Sequence, residues 1–352
     1  MTKKPTAKKK PIPKKRKTIV FYSAKQRVSD LLSRRPHRSF RRTRRRDYTR
    51  SLQLPGYWAF TSHVWKTLWK HKKLFVWIIG TYGVMSAIFV GLASQDTYTA
   101  LSDTLRDTSG DLFTGNIGEL GKASLLLVTG VTGSFNAAPT ETQQIYAALI
   151  GILTWLTTVW LLRSVLAGQK PRFRDGLYNA SAPLVSTSLT GLVVVVQLLP
   201  AALAVIGFSA AISSGFLEGG VEAMIFATLA LLLIVLSVYW ITSTLIALVV
   251  VTLPGMYPMQ ALKTAGDLVV GRRLRILLRF AWLGLIVSIV WALIMVPLII
   301  FDTWLKGLWP AISWLPIVPF ALLIMSSLTV VVTASYIYLF YRKVVEDDAT
   351  PA

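Results

Sequence analysis

Six uninterrupted apolar runs, near residues 74–93, 144–166, 184–211, 222–252, 275–301 and 317–340, constrain this chain more than any other feature. A hydrocarbon layer of about 30 Å is crossed by about 20 helical residues. Inside lipid every backbone N–H and C=O must find a partner within the protein, which leaves helices and closed barrels. A barrel strand would alternate apolar with polar residues, and these runs do not. The expected fold is therefore all-α, a polytopic membrane bundle of six spans. The composition agrees, with 53% hydrophobic and 15% charged residues, where soluble domains are about one quarter charged. Several runs exceed the length needed, so tilt or extension beyond the bilayer is expected. Pro200 and Pro297 fall near the outer ends of the third and fifth runs, where a kink or a helix end is expected.

Charge sets the orientation. The formal net charge is +22, and residues 1–73 hold 24 Lys and Arg against two acids, Asp30 and Asp47. Basic and acidic residues cancel over the rest of the chain. Lys and Arg resist translocation. With the N-terminus in the cytoplasm, six spans put 35 of the 38 basic residues on the inner side and leave only Arg106, Lys122 and Lys306 outside. The expectation is a cell (inner, cytoplasmic) membrane protein with both termini in the cytoplasm. Three parts follow: a basic, largely disordered tail at 1–55, a six-span domain at 56–345 and a short acidic C-terminal tail at 346–352. Pro5, Pro11 and Pro13 and the self-repulsion of the lysines oppose helix in the tail. The tail is too long for a cleavable leader, so Leu74–Ala93 is expected to be a retained signal-anchor.

Residues 56–73 interleave Trp58, Val64, Trp65, Leu68 and Trp69 with His63, Lys66, Lys70 and Lys72. That pattern predicts an amphipathic helix lying in the headgroup layer. The alternative is a plain flank of the first span with Trp and Lys as anchors. The run His71-Lys72-Lys73-Leu74-Phe75 matches Gly271-Arg272-Arg273-Leu274-Arg275 at an offset of 200, with Leu68 on Leu268. A second amphipathic stretch precedes the fifth span, opened by Pro258 and with Met259, Leu262, Ala265 and Val269 as its expected apolar face. A third begins at Lys170-Pro171-Arg172-Phe173-Arg174. Three repeats of an inner interfacial helix plus a helical hairpin are expected. Small residues at four-residue spacing, Gly83, Ala87 and Gly91 in the first span and Gly284, Ser288 and Ala292 in the fifth, predict close helix packing. In the outer loop 94–143, Asp103, Asp107 and Asp111 suit the solvated face of a surface helix, and 117–135 is apolar enough to lie on the membrane or dip into it. Trp304, Trp309 and Trp314 form an expected outer aromatic belt.

The run Leu253-Pro254-Gly255-Met256-Tyr257-Pro258-Met259-Gln260-Ala261-Leu262-Lys263, followed by Asp267-Leu268-Val269-Val270-Gly271-Arg272-Arg273, resembles the six-span membrane domains fused to some glycerophosphodiester phosphodiesterases. The segments Arg38–Tyr48 and Leu54–Phe60 are similar to uncharacterised bacterial six-span membrane proteins. The resemblance implies architecture alone. No phosphodiesterase catalytic domain accompanies these residues, so no catalytic role carries over.

No Walker A loop, no dinucleotide fingerprint and no HExxH motif occurs. His37, His63 and His71 all precede the first span, which leaves no core histidine for a nucleophile–base pair. With no cysteine, a thiolate site is impossible, and neither a metal nor another cofactor is expected. Within the spans Gln197 is the main strong polar group, joined by hydroxyls at Thr242, Ser243, Thr244, Ser326, Ser327 and Thr329. Hydroxyls in spans mostly bond to their own helix or join helices. Arg163 and Glu222 are expected to reach water at span ends. The expected function is non-enzymatic engagement of anionic lipid, or of a cytoplasmic protein, through Lys14, Lys15, Arg16, Lys17, Arg41, Arg42, Arg44, Arg45, Arg46, Lys72, Lys73, Arg172, Arg174, Arg272 and Arg273. A transporter or channel component and a membrane tether for ribosome or RNA are the alternatives.

Overall fold

A computed structural model describes residues 54–90, 141–214, 220–309 and 315–349. The tail cations, Gly91, the outer-loop aspartates, 117–135 and Trp314 lie outside the described residues. Among the described residues the chain is helical, without strands: α1 Tyr57–Lys70, α2 Lys72–Phe89, α3 Glu141–Leu166, α4 Phe173–Ala180, α5 Leu184–Ser213, α6 Gly220–Val250, α7 Pro258–Val269, α8 Arg273–Leu308 and α9 Ile317–Ala349. Six of these, α2, α3, α5, α6, α8 and α9, are long and apolar enough to cross a membrane. The protein is a multi-pass membrane protein.

The spans stand close to their expected places, and the differences lie at the ends. Neither proline ends its helix: Pro200 is inside α5 and Pro297 inside α8, which continues to Leu308. Beside Pro200, the Ala201 N–H donates to Ser237 Oγ of α6 at 3.0 Å, so a side chain of the neighbouring helix serves the backbone next to the proline. α9 continues through Glu346 and Asp347 to Ala349.

Short helices α1, α4 and α7 each precede a span, and local chemistry explains their limits. α4 begins where the Asp175 carboxylate accepts the Arg172 N–H at 3.0 Å. Proline is the first residue of α7, where a missing N–H costs nothing. The turn into α8 uses Gly271 at φ 81°, a left-handed conformation that glycine adopts without strain. At the aligned position His71 makes a one-residue break with φ −115°.

Contacts gather the short helices at one end of the bundle. Phe60 of α1 meets Tyr336 of α9 edge-on at 4.8 Å. Gly176 of α4 lies so close to Leu161 of α3 that an added Cβ would stand 2.8 Å from Leu161 Cγ. Ala261, Ala265 and Val269 of α7 share a core with Val249 and Val250 of α6. The C-terminal ends of α3, α6 and α9 thus meet the short helices and the spans that follow them.

Candidate functional site

The end of the bundle that carries α1, α4 and α7 is the candidate site. In α1 the stripe turned to the protein is Phe60, Val64 and Leu68, at four-residue spacing. Trp58, Trp65 and Trp69 face outward, with the last two stacked at 6.1 Å. Lys72 completes this face, its Nζ 5.2 Å from the Trp69 ring centre. On α7 the buried face is Ala261, Ala265 and Val269, and Met259 is exposed. This corrects the expected apolar face, which included Met259. Apolar character marks both the side that meets protein and the side that meets lipid, so hydropathy does not separate them. On α4, Gly176 and Ala180 are buried and Tyr178 is outermost.

The candidate cations divide into two groups. Lys72, Lys73, Arg172 and Arg174 are exposed on this face. Arg272 is 2% exposed, and its guanidinium meets Asp347 at 3.0 Å and the Leu268 carbonyl at 2.9 Å. Its charge faces the protein interior. Arg273 lies over the Tyr239 ring with Cζ 4.0 Å from the centroid. Arg163, expected to reach water, instead donates to the Thr252 carbonyl at 2.9 Å and to Thr252 Oγ1 at 2.6 Å, and so ties α3 to the turn after α6.

Beneath α1 sits a residue counted in the sequence only as one more inner charge. Arg279 of α8 is 7% exposed. Its Nη2 donates to the Pro55 carbonyl at 2.6 Å, and its Cζ lies 4.0 Å from the Tyr57 ring centre. Trp282, one turn further along α8, meets Trp58 edge-on at 5.0 Å and donates to Thr61 Oγ1 at 3.3 Å. The Tyr336 phenol of α9 lies within electrostatic reach of the same guanidinium. No local pattern marks this cluster, because Arg279 and Pro55 are 224 positions apart.

Polar groups in the spans are committed to packing. Gln197 Oε1 accepts from the Thr244 hydroxyl at 2.7 Å. Thr242, Ser243, Ser326 and Thr329 donate to carbonyls of their own helices. Tyr82 Oη and Thr157 Oγ1 share a buried hydrogen bond of 2.6 Å between α2 and α3. In the small-residue stripes, Gly83 is buried, with the position of an added Cβ 3.8 Å from Ser327 Oγ of α9. Ala87 and Ser288 are half-buried, whereas Ala292 is exposed and Gly284 faces open space. At the opposite end Asp302 is fully buried, 2.8 Å from Lys306 Nζ, an acid the sequence pattern did not single out. Trp304 and Trp309 are exposed there.

No family model matches the sequence, and neither a curated protein nor a solved structure matches it.

Proposed function

We propose that this chain is a non-enzymatic protein of the inner membrane that grips the anionic headgroup layer of the cytoplasmic leaflet. The observation that carries this reading is the gathering of α1, α4 and α7 at one end, with exposed aromatics and the cations Lys72, Lys73, Arg172 and Arg174 outside. Trp and Tyr favour the headgroup region, and each nearby Lys or Arg adds about 1 kcal/mol of attraction to an anionic leaflet. Both termini lie in the cytoplasm, because that end also receives Arg163, Lys263 and Arg342. The order of contacts supports three related units: α4 rests on α3, α7 on α6, and α1 on α9, so each short helix docks on the last span of the unit before it and the series closes.

The test uses the full chain in nanodiscs. The melting temperature is expected to be higher in phosphatidylglycerol than in phosphatidylcholine, and the difference to shrink with salt. Replacing Lys72, Lys73, Arg172 and Arg174 by Gln together should remove most of it. Equal melting in both lipids at low salt refutes the electrostatic reading. Orientation is read separately, since the native chain has no cysteine. An impermeant maleimide added to intact cells should label Leu308→Cys and spare Lys343→Cys.

A further inference from the structure

Among the described residues, the buried side-chain atoms without a hydrogen-bond partner include those of only two charged groups, Arg279 Nη1 and the Asp302 carboxylate. Asp302 has a cation beside it in Lys306. Among the described residues no carboxylate pairs with Arg279, so its positive charge is held in a packed interior. An uncompensated buried charge is among the most costly features a fold can carry. Tyr336 Oη is likewise buried without a partner. Arg279 and Tyr336 face each other, close enough for the guanidinium to act on the phenol through both charge and hydrogen bonding, yet neither Nη1 nor the phenol oxygen has a well-formed hydrogen bond.

We infer that Arg279 and Tyr336 form a binding site for one phosphate oxyanion, filled in the membrane by the phosphate of a phospholipid headgroup. The geometry accounts for the guanidinium's face and both of its terminal nitrogens. Tyr57 covers its face at 4.0 Å, and the Pro55 carbonyl takes Nη2 at 2.6 Å. The Nη1 edge is left, with the Tyr336 hydroxyl as a second donor. A phosphate offers several oxygens and fits a planar guanidinium edge plus one hydroxyl. A carbonyl would leave the charge uncompensated. Depth favours a lipid source. Arg279 stands six residues into α8, about 9 Å along the helix axis, under the exposed aromatic rings of Tyr57 and Trp58. Tyr57, 38% exposed, covers Arg279 at the protein surface, so a headgroup reaches the site only as this ring moves aside, and Phe60 packs edge-on against Tyr336. This site shares with the proposed surface engagement the placement of this end in the headgroup layer, but it does not depend on the surface cations.

Native mass spectrometry of the delipidated full chain tests it, with phosphatidylglycerol, diacylglycerol and inorganic phosphate as probes. One phosphatidylglycerol should be retained per chain, and diacylglycerol should not. Tyr336→Phe keeps the shape of the ring and removes one donor, and is expected to weaken retention about tenfold. Arg279→Lys, which keeps the charge and loses the planar edge, should weaken it by a similar factor. Lys72→Gln with Lys73→Gln should leave this single lipid in place while reducing the nanodisc difference, which separates the two proposals. Displacement of the lipid by millimolar inorganic phosphate would support the same chemistry with a soluble source. Retention of diacylglycerol equal to that of phosphatidylglycerol, or unchanged lipid retention in both Tyr336→Phe and Arg279→Lys, overturns the site.

Discussion

The two ends of this bundle are built differently. At the end that carries α1, α4 and α7, a single core draws buried residues from seven helices: α1, α2, α3, α6, α7, α8 and α9. Toward the other end a separate small core, Trp291, Met295, Ile299, Val318, Leu322 and Met325, belongs to α8 and α9 alone. The contrast recurs between spans. The most apolar stretch of α3 is 44% buried, and that of α6 only 6%. Buried residues of α6 run from Ser237 to Val250, so α6 is anchored by its C-terminal half. Lipid solvates apolar side chains as well as another helix does, so burial alone gives spans little reason to cluster. Close backbone approach and polar bonds supply the reason, and both are concentrated at the first end, in Gly176 against Leu161, Arg163 on Thr252 and Arg272 on Asp347.

The contrast can be broken most severely at the Arg272–Asp347 pair. Asp347→Ala removes the carboxylate facing a buried guanidinium and is expected to cost about 3 kcal/mol, read as a lower midpoint in denaturant titration of the purified protein. A smaller effect is expected from two helical glycines treated alike. Gly176→Ala forces α4 away from Leu161 and should cost about 1–3 kcal/mol, whereas Gly284→Ala adds a methyl group in open space and should gain up to about 1 kcal/mol from helix propensity. A large loss at Gly284 would place a second protein surface there. Smaller again is the effect expected at a pair of interhelical hydroxyl bonds, one from each region. Tyr82→Phe and Thr329→Val, which lose the Tyr82–Thr157 and Trp291–Thr329 bonds while keeping side-chain shape, should each cost about 0.6 kcal/mol. A clearly larger loss at Tyr82 would sharpen the view that the first end holds the fold together.

The smallest expected effect is a pH dependence at His71, between α1 and α2. Partial burial, and then the charge of Lys70, hold its pKa below the ordinary 6.5. As pH falls through 6.5 the unfolded chain takes up the proton before the folded one does, so stability declines until the lower folded pKa is reached, and no further below it. His71→Gln should flatten that decline in thermal melts taken between pH 7 and pH 5.

The positions of all six spans were legible because the membrane imposes a length and a composition on any helix that crosses it. The short helices α1 and α7 were legible from their periodicity and from Pro258. The inward faces were legible only in part. Phe60 and Ala261 face the protein and Met259 faces away, although all three are apolar. Among the site cations, exposure separates Lys72 and Arg174 from Arg272, yet in sequence all three are basic residues beside a span.

The sequence by itself determined that this is a six-span helical protein with a strongly basic N-terminal segment, because span length, apolar continuity and the excess of Lys and Arg are local or additive properties. Only the tertiary structure decided which basic residues are surface and which are structure. Arg279 meets Pro55 across 224 positions and Arg272 meets Asp347 across 75. A charge becomes a paired strut, a flat contact on an aromatic ring or an exposed surface cation according to what lies within a few ångströms of it. That neighbourhood exists only after helices remote in sequence have packed together.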